Sequence, residues 1–306
     1  MKLLILGGSG FVSGRLASMA QAQGHEVWVV TRGSRPIDAR LHSLIADRND
    51  GDALGAALAG AGTRWDAALD CICYNAHTAA VDLAVLPEYT KRLIVVSTDS
   101  VYHPAFKRIP QNEEGVYLHD GGYGAKKREM EEVFLYAGAP EKLAVTIFRP
   151  GHIFGPGSKL GCYPEHTRQE NLIDWMKEGK PLCLVGGGQV LLHPIYVDDL
   201  CQAMLDSIAE VRTHQQVFCI GGPDVVTNAA YFELLAELLG VDVHIEEVAL
   251  EGYLEAHPQY SGHLCHRVYC LDKLRDTGIA TPATHLREGL MRQVEYLLAQ
   301  EQQEHV

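Results

Sequence analysis

The sequence predicts an α/β fold, a doubly wound parallel sheet with a smaller C-terminal lobe. Short, continuous apolar runs such as Ala67–Asp70, Leu93–Ser97 and Ala144–Phe148 have the character of strands buried on both faces. Segments with an apolar period near 3.6 separate them, and this βαβαβ alternation forms an open sheet with helices on both sides. The first strand runs directly into Gly7-Gly8-Ser9-Gly10, a turn able to bend sharply into a helix.

Taken in order, Lys2–Leu6 is the first strand. It meets Gly7 too soon to supply the ~7–15 apolar residues of a secretory signal. Phe11–Gln23 is a helix with Gly24 as its stop signal, and Val27–Val30 is a second strand. A weaker strand lies near Ser43–Ala46, followed by a helix from about Asp52 to Leu58. After the strands Ala67–Asp70 and Leu93–Ser97 come a helix over Gly122–Tyr136 and the strand Ala144–Phe148. Gly151–Gly161 holds four glycines and a proline, which marks a loop leaving the sheet. Asn171–Glu178 is a helix, Gly186-Gly187-Gly188 a tight turn, and Val197–Ile208 a helix led by Asp198 and Asp199 at its positive end. Val217–Ile220 returns to the sheet. The tail gives helices at Tyr231–Leu239, Leu271–Thr277 and His285–Gln300, with a strand at Val243–Glu247.

Composition narrows the class. The chain has 306 residues, 47% hydrophobic and 21% charged, which is ordinary for a globular enzyme. A net charge of −13 argues against nucleic acid as a partner, since phosphate binding rests on clustered Lys and Arg. No run of about 18 apolar residues is present, so no membrane-spanning helix is expected. Eight cysteines fall without metal or redox spacing and read as small hydrophobes, with the cytoplasm as the default compartment. His263-Leu264-Cys265-His266 lacks a second ligand pair, and no metal is expected there.

The chemistry begins at the glycine turn. Gly7, Ser9, Gly10, Phe11 and Val12 lie where a backbone approaches a pyrophosphate and a helix N-terminus offers unpaired N–H groups to its charge. These signals predict a Rossmann-like dinucleotide-binding domain over 1–170, with 189–225 returning to it. Residues 171–188 and 226–306 form a substrate-binding lobe over the carboxyl ends of the strands. The second strand ends in Thr31-Arg32-Gly33-Ser34-Arg35, without a carboxylate to accept from a ribose 2′-OH. Arg32 and Arg35 instead suit a 2′-phosphate, so NADP is expected, with NAD as the alternative. Tyr123 and Lys127 stand four residues apart on one helix face, where an ammonium favours the phenolate a general acid/base needs. Ser97-Thr98-Asp99 closes the strand upstream of them.

Together these segments resemble the extended short-chain dehydrogenase/reductase family, often labelled NAD-dependent epimerase/dehydratase, over nearly the whole chain. The family's T-G-x-x-G-F-x-G stands as Leu6 to Ser13, with Ser13 where the third glycine is usual. Its S-[ST]-x-x-V-Y is Ser97 to Tyr102, its Y-x-x-x-K is Tyr123 and Lys127, and Arg149 to Gly157 looks like R-P-x-x-x-[YF]-G-P-G. His193 to Leu200 looks like its H/Y-V-x-D-L segment. The resemblance implies that Tyr123 exchanges a proton with a carbinol or carbonyl oxygen while hydride moves at the nicotinamide. Lys127 would hold the nicotinamide ribose, and Thr98 would hydrogen-bond the same substrate oxygen. Asp47, Arg48, Tyr74 and Pro150 are further cofactor contacts on the same basis. His152, Tyr163, His193, Tyr196 and Arg267 are candidate substrate contacts.

Two departures bear on the reaction. Dehydratases of the family read T-D-E-V-Y where this chain has Thr98-Asp99-Ser100, so Asp99 is kept and the glutamate base is absent. Elimination is therefore disfavoured, and Asp99 is either an auxiliary acid or a turn residue. His152 stands where members that bind nucleotide sugars often carry asparagine. The leading expectation is an NAD(P)-dependent oxidoreductase or epimerase acting on a sugar-like hydroxyl or ketone of a small-molecule substrate, with nucleotide sugars as candidates. The alternatives are an NADPH-dependent reductase of a non-sugar metabolite and a non-catalytic NADP-binding regulator. A homodimer through the helices near Ala76–Val85 and Gly124–Tyr136 is implied by the family. Met130 and Phe134 could serve that contact or the core equally.

Overall fold

The computed structural model describes residues 1–162, 164–260 and 262–304. Seven parallel strands form the central sheet: β1 Lys2–Leu6, β2 Glu26–Thr31, β3 His42–Ile45, β4 Ala67–Asp70, β5 Arg92–Val96, β6 Ala144–Pro150 and β7 Gln216–Ile220. Their order is β7-β6-β5-β4-β1-β2-β3. The chain winds outward from β1 through β2 to β3, then crosses back and winds the other way from β4. Leu6 consequently pairs with Val30 on one side and Asp70 on the other. Such a reversal opens a crevice at the carboxyl ends of the strands, the place where open α/β sheets bind ligands.

The longer helices are α1 Phe11–Ala22, α2 Gly51–Gly60, α3 Ala76–Val85, α4 Tyr123–Glu132, α5 Leu172–Lys177, α6 Val197–Asp206, α7 Asn228–Leu239 and α8 Leu286–Glu304. α1 and α6 cover one face of the sheet, packing Leu16, Ala17 and Ala20 with Leu200, Ala203 and Met204. α2, α3 and α4 cover the other, with Leu54, Leu58, Ala79, Met130 and Phe134 inside. Met130 and Phe134 are thus core residues of this chain. Asp198, expected as a charge at the positive end of α6, also binds Arg15 at 2.5 and 2.6 Å and ties α6 to α1. A second core joins α5, α7 and α8 through Leu172, Met176, Phe232, Leu235 and Leu290.

Boundaries shift where local chemistry intervenes. The tail strand lies at Ile245–Val248, paired parallel to Leu182–Val185. The expected helix over Leu271–Thr277 shrinks to one turn, Asp272–Arg275. Thr277 donates its hydroxyl back to Leu274 O at 2.6 Å and Gly278 turns to φ +76°, which together stop it. No described helix is long and apolar enough to cross a membrane.

One glycine fixes the position of α4. A Cβ on Gly124 would lie 1.9 Å from Ser100 O, so the helix meets the turn after β5 backbone to backbone. Gly60, by contrast, has nothing within 4 Å of such an atom. Gly124→Ala should lower the unfolding free energy by about 2 kcal/mol or more through overpacking. Gly60→Ala should be neutral or stabilise by about 0.4–1 kcal/mol. Denaturant unfolding of the two variants checks both.

Candidate active site

The glycine turn leaves β1 with Gly7 at φ +113° and Gly8 at φ +120°. A Cβ on Gly8 would sit 2.7 Å from Val29, so this turn closes only with glycine. Gly10 precedes α1, and its N–H donates to Ser13 Oγ at 3.2 Å. Ser13 replaces the usual third glycine without conflict because Gly7, whose Cβ would lie 2.9 Å from Ser13 Cβ, has none. The start of α1 borders a cavity of about 470 Å³, lined by Gly7, Ser9, Gly10, Arg32, Arg35, Asp47, Arg48 and Tyr74 among others.

The polar rim of this cavity divides into two kinds of group. Arg32 and Arg35 are exposed at its edge. The Asp47 carboxylate accepts from Asn49 N and Nδ2, and the backbone donor holds it below the usual carboxylate range. Arg48 is different, for its guanidinium is buried and donates to Asp70 at 2.7 Å and Asp82 at 2.5 Å. Burial works against its charge, but the two carboxylates hold its pKa above normal. Asp70, Cys73 and Asp82 form the one group of potential metal ligands among the described residues, and this guanidinium sits between the two carboxylates. Arg48 therefore supports the cavity wall with its charge committed inward.

A second cavity of about 490 Å³ adjoins the first and shares Gly10, Ser13, Ile72 and Tyr74 with it. It is lined by Phe11, Val12, Thr98, Asp99, Tyr123, Lys127, Pro150, His152 and Arg267, so most of the sequence-predicted site residues meet here. Tyr123 begins α4 and is 56% exposed, whereas Lys127, one turn on, is 2% exposed. Lys127 Nζ donates to Cys73 O and Val96 O, each at 2.6 Å, and lies 5.5 Å from the Tyr74 ring centroid. Burial lowers its pKa. An ammonium has three N–H donors, so one is left for a ligand or for the phenol. Thr98 Oγ1 accepts from Ser100 N at 3.2 Å, which fixes the turn that presents it.

Continuing the Tyr123–Lys127 stripe one turn further gives Glu131, which is fully buried. It accepts from Ser97 Oγ at 2.6 Å and from Arg149 Nε and Nη2 at 2.8 and 2.6 Å. The four-residue spacing signals Glu131 in the sequence, but its partner Arg149 is set by the fold. Arg168 and His263 also line the cleft and carry no sequence signal for that place. Arg168 holds φ +47°, an uncommon value outside glycine.

Other predicted contacts lie elsewhere. His193 accepts from Tyr269 N at Nδ1 (3.1 Å) and donates from Nε2 to Gly222 O (2.7 Å), so both ring nitrogens serve the fold. Tyr196 is buried against Phe154 in the second core and does not line the cleft. Neither is placed to touch a substrate in this cleft. Tyr163 lies outside the described residues.

Burial pushes the His152 imidazole down to about 4, with Arg168 and Arg267 adding repulsion, and burial likewise lowers His263 to about 4. Both are neutral at pH 7. Their unfolded value is 6.5, so between about 6.5 and 4 the unfolded chain binds protons that the folded chain does not. Stability from these groups is therefore lost as pH falls through that window and is flat above it. The melting temperature of His152→Gln should gain on that of wild type as pH is lowered from 7 to 5, a comparison differential scanning fluorimetry makes directly.

A family model described as NAD dependent epimerase/dehydratase family matches residues 3–221. The chain is 26% identical over 245 residues to the chloroplast stem-loop binding protein of 41 kDa b from Arabidopsis thaliana, a match covering 74% of this chain and 60% of that one. It is 26% identical over 221 residues to 2'-dehydrokanamycin reductase from Streptomyces kanamyceticus, covering 69% and 59%. Both matches span less than two thirds of the relative's own length. Among solved structures, UDP-glucose 4-epimerase from Thermotoga maritima, determined with UDP-glucose, superimposes with a TM-score of 0.80 at 20% identity. That likeness covers 98% of this chain and 100% of the other, and it is one of fold.

Proposed function

The chain belongs to the NAD-dependent epimerase/dehydratase family, and from that premise we propose that it is an NADP-dependent enzyme transferring hydride at a sugar-like hydroxyl or ketone, with nucleotide sugars as the leading substrate class. The observation that carries this reading is the shared cleft of Thr98, Tyr123 and Lys127, which continues past Gly10 and Tyr74 into the glycine-lined cavity. The residues present fit a dinucleotide. Gly7 and Gly8 open the turn, the positive end of α1 faces the cavity, and Arg32 and Arg35 stand at the far rim.

A bound nicotinamide would supply the hydride donor or acceptor. Tyr123 exchanges the accompanying proton with the substrate oxygen, and Thr98 steadies that oxygen by hydrogen bonding. Lys127, already anchored on two carbonyls, brings its remaining N–H to the ribose and its charge to the phenol. Arg32 and Arg35 receive the 2′-phosphate. A second reading, NADPH-dependent reduction of a metabolite without a nucleotide, is favoured by Arg32 and by His152, which lines the cleft in place of asparagine. A thermal-shift screen with NAD(H), NADP(H), nucleotide sugars and free sugars separates the two, because a ligand bound only by the folded state raises its melting point.

Tyr123→Phe should lower kcat by ~10²–10⁴-fold while leaving NADP(H) affinity unchanged, as expected for a group that only transfers a proton. A variant with wild-type kcat refutes the assignment and favours a binding or regulatory protein. Arg32→Asp should weaken NADP(H) by about ten- to a hundredfold, since one charge-assisted hydrogen bond contributes about 1.5–3 kcal/mol. Arg35 can share this contact, so the double variant is titrated alongside by fluorescence quenching. Tighter binding of NAD(H) than NADP(H) by wild type overturns the arginine reading.

A further inference from the structure

Asp99 leaves β5 at the edge of the cleft, 2% exposed, and its carboxylate is fully engaged. Arg267 Nη1 donates to both oxygens, at 3.0 and 2.8 Å, and Tyr269 Oη donates to Oδ2. The hydroxyls of Thr98 and Ser100 lie 3.4 Å from Oδ1. Arg267 Nη2 donates to Gly262 O at 2.8 Å, which folds the 262–267 stretch onto its own guanidinium. The backbone of the same stretch is held by Arg267 N on Leu191 O and by Tyr269 N on His193 Nδ1. This stretch carries His263 to the cleft wall. Packing leaves little slack, for a Cβ on Gly151 would lie 3.2 Å from the Tyr269 ring and 3.7 Å from Asp99 Oδ2.

We infer that Asp99 is a positioning residue that, with Arg267 and Tyr269, locks residues 262–269 onto the catalytic turn and takes no part in proton transfer. The inference rests on the hydride-transfer reading of the cleft and assigns the wall on its substrate side. A carboxylate that accepts from a guanidinium on both oxygens has no proton to give, and its lone pairs are already occupied. Burial pushes the Asp99 pKa up, but Arg267 and Lys107 outweigh it and hold the group below its ordinary value. What Asp99 supplies is geometry. It joins the end of β5 to a segment 168 residues later in the chain, and so fixes where His263 stands on the cleft wall.

The test compares wild type with Asp99→Asn and Tyr269→Phe in the full chain, using the substrate found by the ligand screen and hydrogen exchange of residues 262–269. Both variants should raise KM about tenfold, equivalent to 1.4 kcal/mol of binding. Their kcat should stay within about threefold of wild type, because the interaction removed is one of uniform binding. Exchange in 262–269 should quicken in both, with NADP(H) affinity unchanged. A fall in kcat of ~10²–10⁴-fold for Asp99→Asn with unaltered exchange would make Asp99 an acid or base and overturn the proposal. A lowered melting point with KM and exchange both unchanged overturns it as well, leaving a purely structural pair. If Asp99→Asn fails to fold, Tyr269→Phe, which removes one hydroxyl, decides alone. An inactive wild type whose variants loosen 262–269 refutes the hydride-transfer reading while supporting the lock.

Discussion

One buried carboxylate, Glu131, holds together the segments that line the cleft. It reaches from α4 to Ser97 at the end of β5 and to Arg149 at the end of β6. Arg149 in turn donates to Tyr102 Oη and Glu113 O, which secures the long excursion between those strands. Removing Glu131 leaves the Arg149 guanidinium in the interior without its carboxylate, a loss of about 3–5 kcal/mol. Four residues before Glu131 on the same helix is Lys127, and four before that is Tyr123. The placement of both follows from this anchor and from the backbone contact at Gly124.

The sheet reversal between β1 and β4 supplies the complementary constraint. It brings the glycine turn after β1 and the Tyr74 loop after β4 to the same edge, and the two cavities meet between them. Buried carbonyls of Cys73 and Val96 then receive the Lys127 ammonium. The lysine thereby joins the loop after β4, the end of β5 and α4 at one atom. The two cavities share walls because the strands that build them share an edge.

Charge is distributed unevenly over the molecule. The chain carries −13 overall, yet Lys127, Arg168 and Arg267 line one cleft and Arg32 and Arg35 the adjoining cavity. The basic groups outnumber Asp99 and Asp47 in these linings, an excess that draws anionic ligands inward. Asp99 and the Asp70–Arg48–Asp82 cluster temper that charge from within, each by committing a guanidinium to carboxylates.

The sequence by itself determined the parts whose physics is local. Apolar runs marked the parallel strands, and the 3.6 period marked α1, α4, α6 and α7. Gly7 and Gly8 marked the turn because their positive φ, and the close approach of Gly8 to Val29, call for glycine. The four-residue spacing of Tyr123 and Lys127 put both on one helix face. Tertiary structure alone decided which charges pair. Arg267 meets Asp99 across 168 residues, and Arg48 in the cavity wall pairs with Asp70 and Asp82. His193 and Tyr196 stand in a recognisable motif, yet packing directs one to Gly222 and Tyr269 and the other into the second core. A side chain's periodicity fixes the face of its own element. Its partner depends on how distant elements cross, and no local pattern encodes that crossing.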